Sequence, residues 1–138
     1  MRDIFEFTKT LAPLMKERGF KKVRSTWHKE FAGTTMLFSL VKSKPDYTVK
    51  EYCFGTAINE LCDRNIVSIK QCHITQTFYS RRYGQEWPIE ELMNAVDYWE
   101  SRYCNLKALC VAARKNKLPP NTSLNTIKHL KWTDMSKL

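Results

Sequence analysis

The sequence has little glycine or proline and no long apolar run. Only 4 of its 138 residues are Gly and 5 are Pro, so long linkers and low-complexity segments are not expected. No stretch approaches about 18 uncharged apolar residues, the minimum for a membrane span. The opening residues contain no long apolar segment of a signal peptide. These absences disfavour secretion and membrane spanning, and we expect a cytoplasmic protein.

The cysteines lack the pattern of a disulfide framework or a metal site. An odd number, with no C-x-x-C pair and no regular spacing, is typical of free thiols in a reducing compartment. Such thiols usually fill apolar space in a core. The five cysteines are Cys53, Cys62, Cys72, Cys104 and Cys110.

Motifs for catalysis or cofactor binding are also missing. The sequence contains neither G-x-x-x-x-G-K-[ST] nor G-x-G-x-x-G, which excludes the common phosphate-binding loops. Its three histidines, His28, His73 and His129, are not at metal-ligand spacing. Adjacent residues of a strand point to opposite faces, so Cys72 and His73 are not expected to bind one ion together. A nucleophile formed by Cys72 or Cys62 with His28 stays open as the weakest alternative. We assign no catalytic, metal-binding or cofactor-binding residue.

Positive charge is abundant and unevenly distributed. The formal net charge is +9. Residues 1–50 carry eleven Lys/Arg against five Asp/Glu, residues 51–101 four against eight, and residues 102–138 eight against one. Both ends of the chain are therefore basic and the middle is acidic. This distribution favours an anionic partner.

The length and composition fit one globular domain. Hydrophobic residues make up 43% of the chain and charged residues 27%, which is ordinary for a folded protein. We predict a single domain over residues 1–138. Its core is expected over residues 3–118, followed by a basic C-terminal extension over residues 119–138.

Hydrophobic periodicity predicts one helix followed by several strands. Residues 3–18 repeat apolar side chains at helical spacing, with a kink or delay expected at Pro13 and an end at Gly19. Alternating patterns, and for residues 34–41 a run that is apolar on both faces, then predict strands, and the first two form a hairpin. These strands cover residues 27–31, 34–41, 52–58 and 73–79.

The region of the third and fourth predicted strands has one segment with two possible structures and one strand face made of small residues. Residues 66–69 fit either a short edge strand or a helical turn. Cys53, Gly55 and Ala57 share one face of the third strand. Because these side chains are small, we expect a helix to pack closely against them.

The second half of the chain is predicted to be helical. Residues 88–115 form one long helix, or two helices in line with a break near Asn105. A short last helix is capped by Thr122 or Ser123. Together the elements predict an α+β fold, with a mainly antiparallel sheet of four to five strands. The N-terminal helix and the long C-terminal helix pack on one face of that sheet.

The sequence resembles a bacterial family known as domain of unknown function 4304. The resemblance lies in residues 11–22, where a helix ends in Gly19-Phe20-Lys21-Lys22, and in the strand that starts near Trp27. The Trp87-Pro88 entry to the long helix is also similar. The resemblance covers roughly residues 4–110, and residues 60–71 and those after Arg114 depart from it. It implies a small bacterial protein for which a toxin-immunity role is plausible, and it supplies no catalytic residues.

Two basic segments next to aromatic residues are the candidate binding surface. Its residues are Lys21, Lys22, Arg24, Trp27, Arg81, Arg82 and Tyr83. Such a combination suits phosphate contact with base stacking. The alternative is a solvated surface whose aromatic rings turn into the core.

The first functional hypothesis is a non-enzymatic protein that binds another protein, in the manner of a toxin-immunity protein. The second is a nucleic-acid-binding module that uses the same surface. Inhibitors of nucleases are usually acidic, so a toxin partner of this basic chain would have to present an acidic surface. Otherwise it would have to bind the acidic residues 86–100.

Overall fold

The fold is a five-stranded antiparallel sheet with helices. The computed structural model describes residues 4–42, 49–63, 65–66, 68–79 and 89–138. The strands are β1 (Lys21–Val23), β2 (Thr26–Glu30), β3 (Thr34–Lys42), β4 (Val49–Ile58) and β5 (Ile74–Tyr79). The helices are α1 (Ile4–Glu17), α2 (Ile89–Tyr103), α3 (Leu106–Arg114) and α4 (Leu124–Trp132). In this part of the chain, no helix has the length and apolarity needed to cross a membrane.

Helix α1 ends where the sequence predicts. Gly19 has a φ of +86°, in the left-handed region that favours glycine. Its N–H donates to the carbonyl of Lys16, and the N–H of Phe20 donates to that of Met15. These two bonds form a Schellman motif, and the buried side chains of Phe20 and Met15 supply its apolar contact. Pro13 lies inside α1, which still runs unbroken from Ile4 to Glu17.

The order of the strands in the sheet is their order in the chain. Each of the four neighbouring pairs is antiparallel, which confirms the predicted sheet type. The predicted hairpin is β2 and β3. The sequence pattern missed β1, a three-residue edge strand, because it is too short to show an alternation.

The large side chains of the sheet face the helices. Trp27, Phe38 and Phe54 lie directly opposite one another on β2, β3 and β4, so they share one face. Trp99 of α2 stacks on Phe54 with ring centroids 5.8 Å apart. All four helices contribute buried residues to the same core, which confirms that the helices pack on one face.

The opposite face of the sheet is covered near Gly55 by a short 3-10 helix, Ile69–Gln71. A Cβ atom built at Gly55 would lie 2.5 Å from the Sγ atom of Cys72 and 3.5 Å from Cδ1 of Ile69. A short 3-10 helix, with Cys72 directly after it, therefore packs closely on the small-residue face, in agreement with the expected helix. Of the segment 66–69, only Ile69 belongs to this helical turn.

The long helical pattern is divided into α2 and α3. Thr34 donates from its hydroxyl to the carbonyl of Cys104 at 2.5 Å, so that carbonyl is bonded to the sheet. The side chain of Asn105 accepts from the N–H of Ala108 at 2.9 Å and caps α3. These contacts confirm the break near Asn105.

The C-terminal helix α4 packs into the main core. Ser123 caps it by accepting from the N–H of Thr126 at 3.2 Å, in agreement with one of the two predicted caps. Leu130 is fully buried among residues of the core. The core of the described residues therefore continues past residue 118, into the segment predicted as an extension.

Candidate binding surfaces

The edge strand β1 carries three of the predicted binding residues in exposed positions. Lys21, Lys22 and Arg24 are exposed, and none of the three forms an ion pair within the described residues. Arg24 follows β1 in the turn to β2 and has a φ of 57°. A positive φ at the first central residue is typical of a two-residue hairpin turn. The hairpin thus presents, at the edge of the sheet, three cations that form no ion pair with the described part of the chain.

The outer edge of β1 has backbone groups directed away from the sheet. Phe31 donates to the carbonyl of Thr34 at 2.8 Å across the β2–β3 turn. Bonded pairs alternate along an antiparallel ladder, so Trp27 directs its backbone groups toward β3. Lys22, which lies opposite Trp27, therefore directs its N–H and C=O away from β2. These groups are positioned to pair with an added strand.

Trp27 does not belong to the exposed surface. Its side chain is 2% exposed, because its position in the strand directs it toward the helices. Phe20 is also buried, at 3% exposure. The Nζ atom of Lys22 lies 5.7 Å from the centroid of the Trp27 ring, so this lysine covers the outer side of the tryptophan. The alternative in which the aromatic rings turn into the core is correct at this segment.

The other predicted binding residues are Arg81, Arg82 and Tyr83. They lie outside the described residues, as does Trp87-Pro88.

Four of the five cysteine thiols have a raised pKa, which makes them poor nucleophiles. Burial raises the pKa of Cys72 far above its ordinary value and raises that of Cys104 to about 12. Burial also raises the pKa of Cys62 and Cys110. Since the thiolate is the reactive form, these four thiols stay protonated at neutral pH. None of the five cysteines, all of them described residues, forms a disulfide bond, as the sequence predicts.

The register of the strands separates the proposed histidine base from Cys72. His28 lies opposite Leu37, and Leu37 lies opposite Gly55, over which Cys72 packs. His28 and Gly55 are therefore two strands apart, which is about 10 Å, too far for a hydrogen bond between His28 and Cys72. The Nδ1 atom of His28 is buried without a hydrogen-bond partner. Within the described part of the chain, no group of three His, Cys, Asp or Glu residues is arranged to hold a metal ion.

His73 is tied to the sheet through an unprotonated ring nitrogen. Its Nδ1 atom accepts the backbone N–H of Ile58 at 2.9 Å. Burial lowers the pKa of His73, and the nearby His129 lowers it further. The Nε2 atom of His129 in turn lies 3.4 Å from the Glu60 carboxylate. The folded protein therefore favours neutral His73, with its proton on Nε2.

We expect the free energy of unfolding to fall as the pH drops below about 6.5. As the pH falls, the unfolded chain, with an ordinary histidine pKa of 6.5, binds the proton before the folded protein does. Stability is therefore full above that pH and declines below it. Protonation also removes the Ile58–His73 bond, worth about 1 kcal/mol. Urea unfolding at about pH 7.5 and 5.5 measures the change.

The matched control is His73→Asn, whose Oδ1 atom can accept the same N–H without titrating. This variant should lose less stability than the native protein between the two pH values. Equal losses in both proteins would show that groups other than His73 cause the pH dependence.

A second exposed surface lies on α4, where the sequence pattern did not single out residues. Leu124 is 74% exposed and Trp132 is 86% exposed. Lys128 is exposed between them, four residues from each. Residues at this spacing share one face of a helix. The sequence does show Leu124 and Trp132 at the two ends of this helix. Because Leu130 lies on the buried face of α4, these two residues lie on a different face.

The C-terminal end of α4 is held firmly by α3. The guanidinium of Arg114 donates to the carbonyl of Lys131 at 3.1 Å and to that of Thr133 at 2.9 Å. The hydroxyl of Thr133 donates to the carbonyl of His129 at 2.6 Å. These bonds satisfy carbonyls at the helix end. Trp132 is therefore exposed on an anchored helix.

An open cleft of about 420 Å³ lies between β5, α2 and the segment before α4. Phe78 and Tyr103 contribute apolar surface, and Gln76 and Lys117 contribute polar groups. Among the described residues, the lining contains one lysine, two tyrosines and no carboxylate, thiol or imidazole.

No known protein family, curated protein or solved structure matches this chain. The resemblance to the domain of unknown function 4304 family stays a prediction. The fold is that of an α+β protein, and exposed basic residues lie at β1 and on α4.

Proposed function

We propose that this chain is a non-enzymatic protein that binds an acidic segment of another protein by strand addition at β1. The observation that supports the proposal is the edge of the sheet, where the backbone groups of Lys22 point outward and Lys21, Lys22 and Arg24 form no ion pair among the described residues. A toxin neutralised by this chain would suit the proposal if it presents an acidic segment.

The charge of β1 selects the kind of strand that can pair with it. Lysine on an edge strand discourages pairing between identical copies, because like charges would lie side by side. A strand that carries carboxylates would instead be attracted to these lysines. Its main-chain hydrogen bonds would supply affinity, and its charges would supply specificity and fast association. The raised pKa values of four thiols are consistent with binding rather than thiol chemistry.

Binding of nucleic acid at β1 is less well supported than binding of protein. Single-stranded nucleic acid is held by cations together with exposed aromatic rings on which bases stack. At β1 the cations are exposed, but Trp27 and Phe20 are buried. Cations alone supply only the salt-dependent, sequence-independent part of such binding.

A photo-crosslinking residue on the edge strand tests the proposal. Benzoylphenylalanine replaces Val23, which is 36% exposed and whose replacement leaves every lysine in place. In the native host we expect a covalent adduct to a protein, mapped by mass spectrometry to an acidic segment. Lys22→Pro should abolish the adduct, because proline lacks the outward N–H and leaves the β1–β2 ladder intact.

Tyr98 is the matched control site for the crosslinker, since it is aromatic and 52% exposed on α2. The same adduct from position 98, or no protein adduct from position 23, would count against the proposal.

Purified protein is also titrated with single- and double-stranded oligonucleotides at about 50 mM salt. Submicromolar binding that is lost on reversing Lys21, Lys22 and Arg24 would favour nucleic acid instead.

A further inference from the structure

The outer face of α4 combines two exposed apolar side chains with a central cation. Leu124 and Trp132 lie eight residues apart, which is about 12 Å along a helix axis. Lys128 lies midway, and Lys131 precedes Trp132. We call Leu124, Lys128 and Trp132 the α4 stripe.

The apolar residues of the stripe, Leu124 and Trp132, are not part of the buried face of α4. Thr126 and Leu130 supply the buried face of α4. Leu124 and Trp132 are the two most exposed large hydrophobic side chains of the described residues. Tryptophan in a partly rigid, exposed position is typical of the energetically dominant residues of protein interfaces.

The charge around the stripe points to an anionic occupant. Neither Lys128 nor Lys131 forms an ion pair with a carboxylate within the described residues. Asp134, the acidic residue next in sequence, accepts from the N–H and hydroxyl of Ser136. The Glu60 carboxylate lies beside His129. Lys128 and Lys131 are therefore left without a carboxylate partner in the described part of the chain.

We infer that the α4 stripe is a docking site for an amphipathic helix of a partner protein, with an acidic residue midway between two apolar residues. The carboxylate would pair with Lys128, and the apolar side chains would pack on Leu124 and Trp132. Recognition of an amphipathic helix through side chains repeated three or four residues apart on one face is an established mode.

Other anionic occupants fit the stripe less well. Single-stranded nucleic acid would use Trp132 for stacking and the lysines for phosphates, but it leaves Leu124 without a role. An anionic membrane would take both apolar side chains into its surface. It would then hold Lys128 between them, where a cation is costly unless it reaches the headgroups. A partner helix satisfies all three residues with direct contacts.

The test uses the full chain and a displayed library of helix-forming peptides randomised along one face. We expect enriched peptides to carry Asp or Glu midway between apolar residues eight positions apart. Binding of the best peptide should weaken about tenfold or more in Trp132→Ala and in Leu124→Ala. In Lys128→Glu, preference should switch to a peptide with lysine at the central position.

Controls separate this site from the rest of the surface. Lys107→Glu reverses an exposed charge on α3, and Tyr98→Ala removes an exposed ring on α2. Neither should change peptide binding. Lys21→Glu with Lys22→Glu should also leave it unchanged, because the stripe does not depend on the function proposed for β1. Failure at one surface is thereby distinguished from failure at the other.

Three outcomes would overturn the inference. One is a selection in which no peptide prefers the native chain over Trp132→Ala. Another is tight binding to phosphatidylglycerol vesicles or oligothymidine that requires Trp132 while no acidic helix is enriched. The third is a concentration-dependent dimer, seen by sedimentation and lost in Trp132→Ala, which would assign the stripe to a second copy of this chain.

Discussion

Trp99→Ala should destabilise the protein by about 3–5 kcal/mol, the range observed when a buried large aromatic side chain is truncated. Trp99 is 1% exposed and stacks on Phe54. Its indole N–H donates to the hydroxyl of Thr56 at 3.0 Å. The substitution leaves a cavity between α2 and the sheet and removes the donor to a buried hydroxyl. Urea unfolding followed by circular dichroism measures the loss.

Two further variants separate burial from residue type. Trp99→Phe keeps an aromatic ring near Phe54 and removes the indole N–H, so its loss should be smaller than that of Trp99→Ala. Trp132→Ala removes the same side chain from an 86% exposed position and should change stability by less than about 0.5 kcal/mol. Similar losses from the two alanine variants would contradict the packing described for α2.

Gly55→Ala should destabilise the protein by about 1–3 kcal/mol through overpacking. The new Cβ atom would lie 2.5 Å from Sγ and 2.9 Å from Cβ of Cys72. Gly55 has no positive φ, so the cost comes from the contact and not from backbone strain. Either the sheet or the segment leading into β5 must shift to accommodate the methyl group.

A double-mutant cycle with Cys72→Ala isolates this contact. Removing the sulfur takes away the nearest clashing atom, so Gly55→Ala should cost less in the Cys72→Ala background than in the native protein. Thermal or urea unfolding of the four proteins measures the coupling. Purely additive losses would mean that Gly55 is needed for another reason.

The two proposed binding surfaces lie on different elements around one core. Edge strand β1 pairs with β2, whose Trp27 is part of that core, and α4 is joined to the core through Leu130. Two ion pairs connect α2 to other described elements, one between Arg18 and Asp97 and one between Lys29 and Glu100.

The sequence by itself determined most of the secondary structure, apart from β1 and the continuity of the helical segment 88–115, because its signals are local. Gly19 ends α1 through its left-handed backbone, Asn105 starts α3 by capping it, and Ser123 does the same for α4. Alternating patterns located β2, β4 and β5, and a run that is apolar on both faces located β3, for the same reason. Each signal acts within a few residues along the chain.

The tertiary structure alone decided which side chains are buried and which are left for a partner. A basic segment with tryptophan looks the same in sequence whether its ring faces solvent or helices, and the pairing of Trp27 with Phe38 places it inside. Cys72 meets Gly55 only after the chain has turned back over the sheet. Trp132 stays exposed because Leu130 already fills the core beneath α4. These outcomes depend on contacts between residues distant in sequence, so no local pattern could specify them.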